Sequence, residues 1–134
     1  RFLFFTIACL SSIWGMAQIA TDTYVEVLYF HGAQRCITCR AIETNTVALL
    51  DSLYSKEKAD GKIIYKVIDI SKKEDEAIAD KYEVTWSSLF VNGWKDGKEN
   101  VNNMTEFSFS NAKNAPDKFK EGIKSKIDEL LKQL

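Results

Sequence analysis

Apolar residues occupy both alternating sets of positions between Thr21 and Phe30. Val25, Val27 and Tyr29 fall on one side, and Tyr24, Leu28 and Phe30 on the other. A strand that is apolar on both sides belongs inside a sheet with layers packed on each face. The pattern then changes period. Ile42, Thr46, Leu49, Leu50, Leu53 and Tyr54 recur at three- and four-residue steps, which predicts a helix over residues 39–58, ended by Gly61.

A second apolar strand is expected from Ile63 to Ile70. Ser71 and Glu74 form a capping-box pair ahead of a short helix from Lys73 to Tyr82. Ser87 to Val91 reads as a third strand. Trp94 then leads into the turn Lys95-Asp96-Gly97-Lys98, and a fourth strand follows from Glu99 to Asn102. The segment Asn103 to Ala115 shows no regular period. Pro116 opens a last helix, whose stripe is Phe119, Ile123, Ile127, Leu130, Leu131 and Leu134. The order is β, α, β, α, β, β, α, an α/β class with a mixed sheet. A right-handed first crossover and a final hairpin are expected.

Composition narrows the classes. The 134 residues suffice for one domain, with 46% hydrophobic and 28% charged positions. A net charge of -1 with no basic stripe excludes a nucleic-acid partner. No flavin- or nicotinamide-binding motif occurs, so no cofactor and no resident metal are expected. The run Phe2 to Ala17 is apolar, with small Gly15 and Ala17 ahead of Gln18, as at a signal-cleavage site. Residues 1–17 are therefore read as a signal peptide cut short at its basic start, and residues 18–134 as the mature domain. An uncleaved anchor formed by residues 2–17, or lipidation at Cys9, are the alternatives. The expected location is periplasmic.

Of three cysteines, Cys36 and Cys39 stand three positions apart in Arg35-Cys36-Ile37-Thr38-Cys39-Arg40, where the first strand gives way to a helix. A thiol there meets unpaired N–H groups and the positive end of the helix dipole, which favour a thiolate. Cys36 is expected to attack, with Arg35 and Arg40 adding positive charge, and Cys39 to resolve the mixed disulfide. The bland alternative is a pair of ordinary buried cysteines. His31 is either a proton partner for Cys39 or a plain strand-end histidine. Arg35 alternatively binds an acidic partner or is simply solvated.

From Tyr24 onward the chain resembles thioredoxin-like proteins. The resemblance is carried by Val27-Leu28-Tyr29-Phe30 before the CxxC, by Val67-Ile68-Asp69-Ile70, and by Lys81-Tyr82-Glu83-Val84-Thr85. It implies a three-layer βαβαββα fold. More narrowly, Tyr29-Phe30-His31-Gly32, Arg35-Cys36 and Asn103-Met104-Thr105-Glu106-Phe107 resemble small exported Bacteroidetes-type proteins described as nitrophenyl-compound nitroreductase subunits.

Three positions depart from the superfamily. Its cis-proline is matched by Ser88, in Trp86-Ser87-Ser88-Leu89, where a cis bond would cost about 3 kcal/mol and a trans bond is expected. Its buried strand aspartate falls near Tyr29 or Phe30, so that proton relay is missing. Ile37 and Thr38 stand between the cysteines instead of Gly-Pro. Ser88 is either a donor to sulfur or a turn residue. Trp86, and likewise Phe107 and Phe109, are either docking surface or packing anchors.

The leading expectation is an exported thiol–disulfide oxidoreductase or electron carrier acting as a monomer. Its substrate would be a protein disulfide, and a membrane thiol or electron transporter would recycle it. One rival is a soft-metal protein (Zn, Cu or Fe-S) using the CxxC, with His31 as a third ligand. The other is a non-catalytic thioredoxin-like subunit of a larger reductase.

Overall fold

The computed structural model describes residues 23–134. The signal-peptide reading and Cys9 lie outside the described residues. Strand β1 (Tyr24–His31) is the second of four strands, in the order β2-β1-β3-β4. It runs parallel to β2 (Ile63–Asp69), from Val25 opposite Ile63 to His31 opposite Asp69. On its other side it pairs antiparallel with β3 (Ser88–Lys95), from Tyr24 opposite Trp94 to Phe30 opposite Ser88. Strand β4 (Lys98–Asn100) closes a hairpin with β3. Asp96 and Gly97, at φ 52° and 76°, take the two left-handed positions that such a tight turn needs.

The two-sided pattern of β1 is realised in two cores. Val25, Val27 and Tyr29 join Leu89 and Val91 under the long helices α1 (Ile37–Leu53) and α5 (Pro116–Gln133). These contribute Ile42, Leu49 and Leu50, and Phe119, Ile123, Ile127 and Leu130. On the opposite face Leu28, Phe30, Ile68 and Phe90 pack with Ala79 of the short helix α3 (Glu76–Lys81) and with Val84. Among the described residues, no helix is long and apolar enough to cross a membrane.

Four local expectations are corrected. The helix expected over 39–58 breaks at Tyr54, which leaves the helical range and separates α1 from α2 (Ser55–Ala59). The buried Tyr54 ring is held there by its hydroxyl, which donates to Asp128 Oδ1 at 2.6 Å. Ser71 does not cap a helix; its N–H and hydroxyl both donate to Asp69 Oδ1, at 3.0 and 2.6 Å. A 3₁₀ turn (Lys73–Asp75) intervenes before α3 begins. Strand β3 continues through Trp94, while β4 is shorter than expected.

The largest correction is a helix, α4 (Thr105–Asn111), inside the segment read as irregular. Tertiary packing imposes it rather than propensity. The Phe107 ring stacks on Phe119 at 6.4 Å and fills the space a Cβ would need at Gly122 of α5. Thr105 Oγ1 accepts from the backbone N–H of Leu89, tying the start of α4 to β3.

Candidate functional site

Strand β1 ends at His31, four residues of loop follow, and Cys36 occupies the N-cap of α1. That position usually takes a Ser, Thr, Asp or Asn oxygen, because the first helical N–H groups lack partners. Here the Cys36 sulfur does the work, accepting from the N–H of Cys39 at 3.0 Å. No acidic residue stands in the first turn to offset the helix dipole. Cys36 and Cys39 form a disulfide with Cα atoms 5.0 Å apart. Cys36 is exposed, whereas Cys39 is only 6% exposed. The two sulfurs therefore differ in access, the first open to a partner and the second shielded behind it.

Arg35 immediately precedes Cys36, but its guanidinium is engaged by other side chains. Its guanidinium forms an ion pair with Glu43 of α1. It also donates to His31 Nε2 at 2.6 Å. The other ring nitrogen, Nδ1, lies 2.9 Å from the Gly32 carbonyl. A carbonyl only accepts and a guanidinium only donates, so the proton sits on Nδ1 and Nε2 offers its lone pair. Both nitrogens of His31 are thus directed to Arg35 and to the backbone. Arg40 is exposed and makes no ion pair among the described residues.

Ser87 and Ser88 are both buried, and Ser88 Oγ donates to the carbonyl of Trp86 at 3.1 Å. Their peptide is trans, as is every peptide bond among the described residues. Trp86 is 61% exposed and stacks on Phe109 of α4, with ring centroids 5.1 Å apart. Those two rings wall a cleft of about 780 Å³ that also receives Tyr82, Ser88, Thr105 and Glu106. Ile37, 72% exposed, adds apolar surface next to Cys36. Phe107 is packed inward against α5 and takes no part in this surface.

Three members of the site were not singled out from sequence. Tyr29, fully buried, donates its hydroxyl to the Cys39 carbonyl at 2.8 Å. It thereby ties β1 to the cysteine turn. Burial pushes the Tyr29 phenol up, the Glu43 charge adds to this, and Arg35 and Ser87 oppose it. Tyr65 of β2 has a buried hydroxyl without a hydrogen-bond partner among the described residues. Its phenol is pushed up by burial, then by the charge of Glu43. Glu43 itself was legible in principle, since it follows Cys39 by four residues and so shares its helix face.

Among the described residues, no three His, Cys, Asp or Glu side chains come together as a metal-binding group. Phe30, one of the two positions matched to the strand aspartate, packs on the opposite face against Tyr82 and Phe90.

No family model matches the sequence, and neither does any curated protein. Solved structures do match. An uncharacterised thioredoxin-like protein from Clostridium perfringens superposes with a TM-score of 0.51 at 15% identity, covering 89% of this chain and 90% of that one. A thioredoxin from Fasciola hepatica gives 0.47 at 21% identity, over 80% and 81% of the two chains. One from Thermus thermophilus gives 0.48 at 12% identity, over 76% and 72%. The fold is thioredoxin-like: a mixed four-stranded sheet between helices, with the Cys36–Cys39 pair where β1 passes into α1.

Proposed function

We propose that this chain is a thiol–disulfide oxidoreductase that carries electrons to protein disulfides. The observation that carries the reading is the asymmetry of the pair: Cys36 exposed at a helix N-cap, and Cys39 buried within bridging distance. In the reduced protein the N-cap N–H groups and the helix dipole hold Cys36 as a thiolate. That thiolate attacks a substrate disulfide, forming a Cys36–substrate disulfide and releasing one substrate thiolate. Cys39 then loses its proton and attacks Cys36 Sγ. The Cys36–Cys39 disulfide forms and the second substrate thiolate leaves, so two electrons have passed to the substrate. Ile37, exposed next to Cys36, and the stacked Trp86 and Phe109 offer the substrate apolar surface. The setting we favour is outside the cytoplasm, with a membrane dithiol donor returning the electrons.

The test is a redox titration of the purified chain in glutathione buffers, with metal content assayed on the same samples. The expected result is a reversible two-electron couple in metal-free protein that vanishes in Cys36→Ser while the thermal melt persists. Stoichiometric zinc, copper or iron that survives dialysis would instead support a soft-metal role. Intact thiols that neither cycle nor hold metal would leave a non-catalytic subunit.

A further inference from the structure

We infer that Glu43 is the group that accepts the proton of Cys39 when the mixed disulfide is resolved. The inference rests on the thiol-exchange reading above. A buried thiol resists ionisation, because burial disfavours its charged form, and only the thiolate attacks. Cys39 is almost fully buried, and the strand beneath it offers a phenol, Tyr29, rather than a carboxylate. The carboxylate that this corner does hold is on the helix itself, Glu43, ion-paired with Arg35.

Helix spacing, side-chain direction and an ion pair bring Glu43 toward Cys39. It lies four residues on, one turn along α1, so the two side chains are neighbours on one face. Helical side chains lean toward the N-terminus, which carries the Glu43 carboxylate back along the turn that holds Cys39. Its ion pair agrees with that direction, because its partner Arg35 comes before the helix begins. The Glu43 charge also pushes up two phenols of the sheet. One is Tyr29, bonded to the Cys39 carbonyl; the other is Tyr65, whose hydroxyl lacks a partner among the described residues.

The charged and titratable groups facing this acid are few. Arg35 comes from the loop, His31 and Tyr29 from β1, and Tyr65 from β2, while Arg40 shares its helix. Asp69 at the end of β2 faces His31. The step balances: the Cys39 proton passes to the Glu43 carboxylate and the Cys39 thiolate closes the disulfide. The acid then returns its proton to the departing substrate thiolate or to water, which a side chain 25% exposed can reach.

The test uses the fully reduced chain and 5,5′-dithiobis(2-nitrobenzoic acid), followed by stopped flow. The first thionitrobenzoate released reports attack by Cys36, and the second reports resolution by Cys39. Glu43→Gln retains a carbonyl oxygen for Arg35 but is a far weaker base. We expect its second phase to slow by at least roughly tenfold near pH 7, in line with general-base contributions of about 10²–10⁴. Glu43→Asp should recover part of the rate. If Glu43 acted only through its charge, removing that charge would ease Cys39 ionisation and hasten the second phase. An unchanged or faster second phase therefore overturns the inference and leaves the exchange reading standing. Wild type that releases no second thionitrobenzoate overturns both. Should Glu43→Gln fail to fold, the wild-type pH profile decides. A second phase that is level between about pH 6 and pH 8 supports a carboxylate base, and one rising about tenfold per pH unit, as unaided thiol ionisation would, overturns it.

Discussion

Two groups of charged and phenolic side chains branch from β1, on opposite faces, and they are built differently. On the face away from α1, the buried carboxylate of Glu26 accepts from Lys66 Nζ at 2.9 Å and from Trp94 Nε1 at 3.3 Å. Beside it Glu99 accepts from Tyr82 and Asn92 and pairs with Lys81 at 3.1 Å. Lys81 in turn lies over the rings of Tyr82 and Trp94, at 4.8 and 5.0 Å. None of its buried side-chain polar atoms is left without a partner. Around the cysteine turn, Arg35 is shared between Glu43 and His31 and Tyr29 is spent on a backbone carbonyl, while on the neighbouring strand the Tyr65 hydroxyl has no hydrogen-bond partner among the described residues. Satisfied networks hold a fold in one arrangement, while a low-dielectric site with spare polar capacity can change protonation state. The difference teaches where to look for chemistry: near the disulfide, not wherever charges are buried.

The comparison breaks if the two groups respond alike to substitution. Removing Glu26 should have the larger effect on stability. Glu26→Ala strips the Trp94 indole and Lys66 of their acceptor, and should cost about 1–3 kcal/mol by urea unfolding while thiol-exchange rates stay put. A loss of exchange comparable to that of a site variant would mean that the far network also serves the cysteines.

Tyr29→Phe probes the near group. It removes a hydroxyl that supports the turn in its disulfide form, at a cost of about 1 kcal/mol. The potential of the couple should rise by roughly 20 mV, since about 30 mV corresponds to about 1.4 kcal/mol for two electrons. A potential unmoved in glutathione titration would place Tyr29 with the structural residues.

The smallest effect lies outside both groups and calibrates them. Lys124 and then Tyr54 hold the Asp128 carboxyl below its ordinary value of 3.8. The folded state then binds fewer protons than the unfolded one, so this contribution is complete above about pH 4 and fades as the pH falls through the lowered value. Asp128→Asn should flatten the acid side of a stability profile recorded between about pH 5 and pH 2. A profile of unaltered slope would remove Asp128 from the acid response.

Much of this architecture could be read from the chain alone, for identifiable reasons. The double parity of β1, the stripe of α5 and the placement of Cys36 at a strand-to-helix junction are local patterns with one physical solution. Helix α4 was not readable, because Phe107 and Phe109 alternate with polar residues and the helix forms only where Gly122 admits the Phe107 ring. The break at Tyr54 depends on Asp128, 74 residues away. Glu43 was hidden for the opposite reason: it is close to Cys39 in sequence, but only its ion pair with Arg35 distinguishes it from an ordinary helix-surface carboxylate.

The account depends most on the N-cap sulfur being ionised when its partner is not. The direct measurement is the rate of iodoacetamide alkylation of Cys36 in the reduced chain, followed by mass spectrometry of the modified peptide across pH. The account predicts an inflection below about pH 7.5, with Cys39 modified far more slowly throughout. An inflection near pH 8.5, the value of an ordinary cysteine, or equal rates at the two sulfurs, would contradict it.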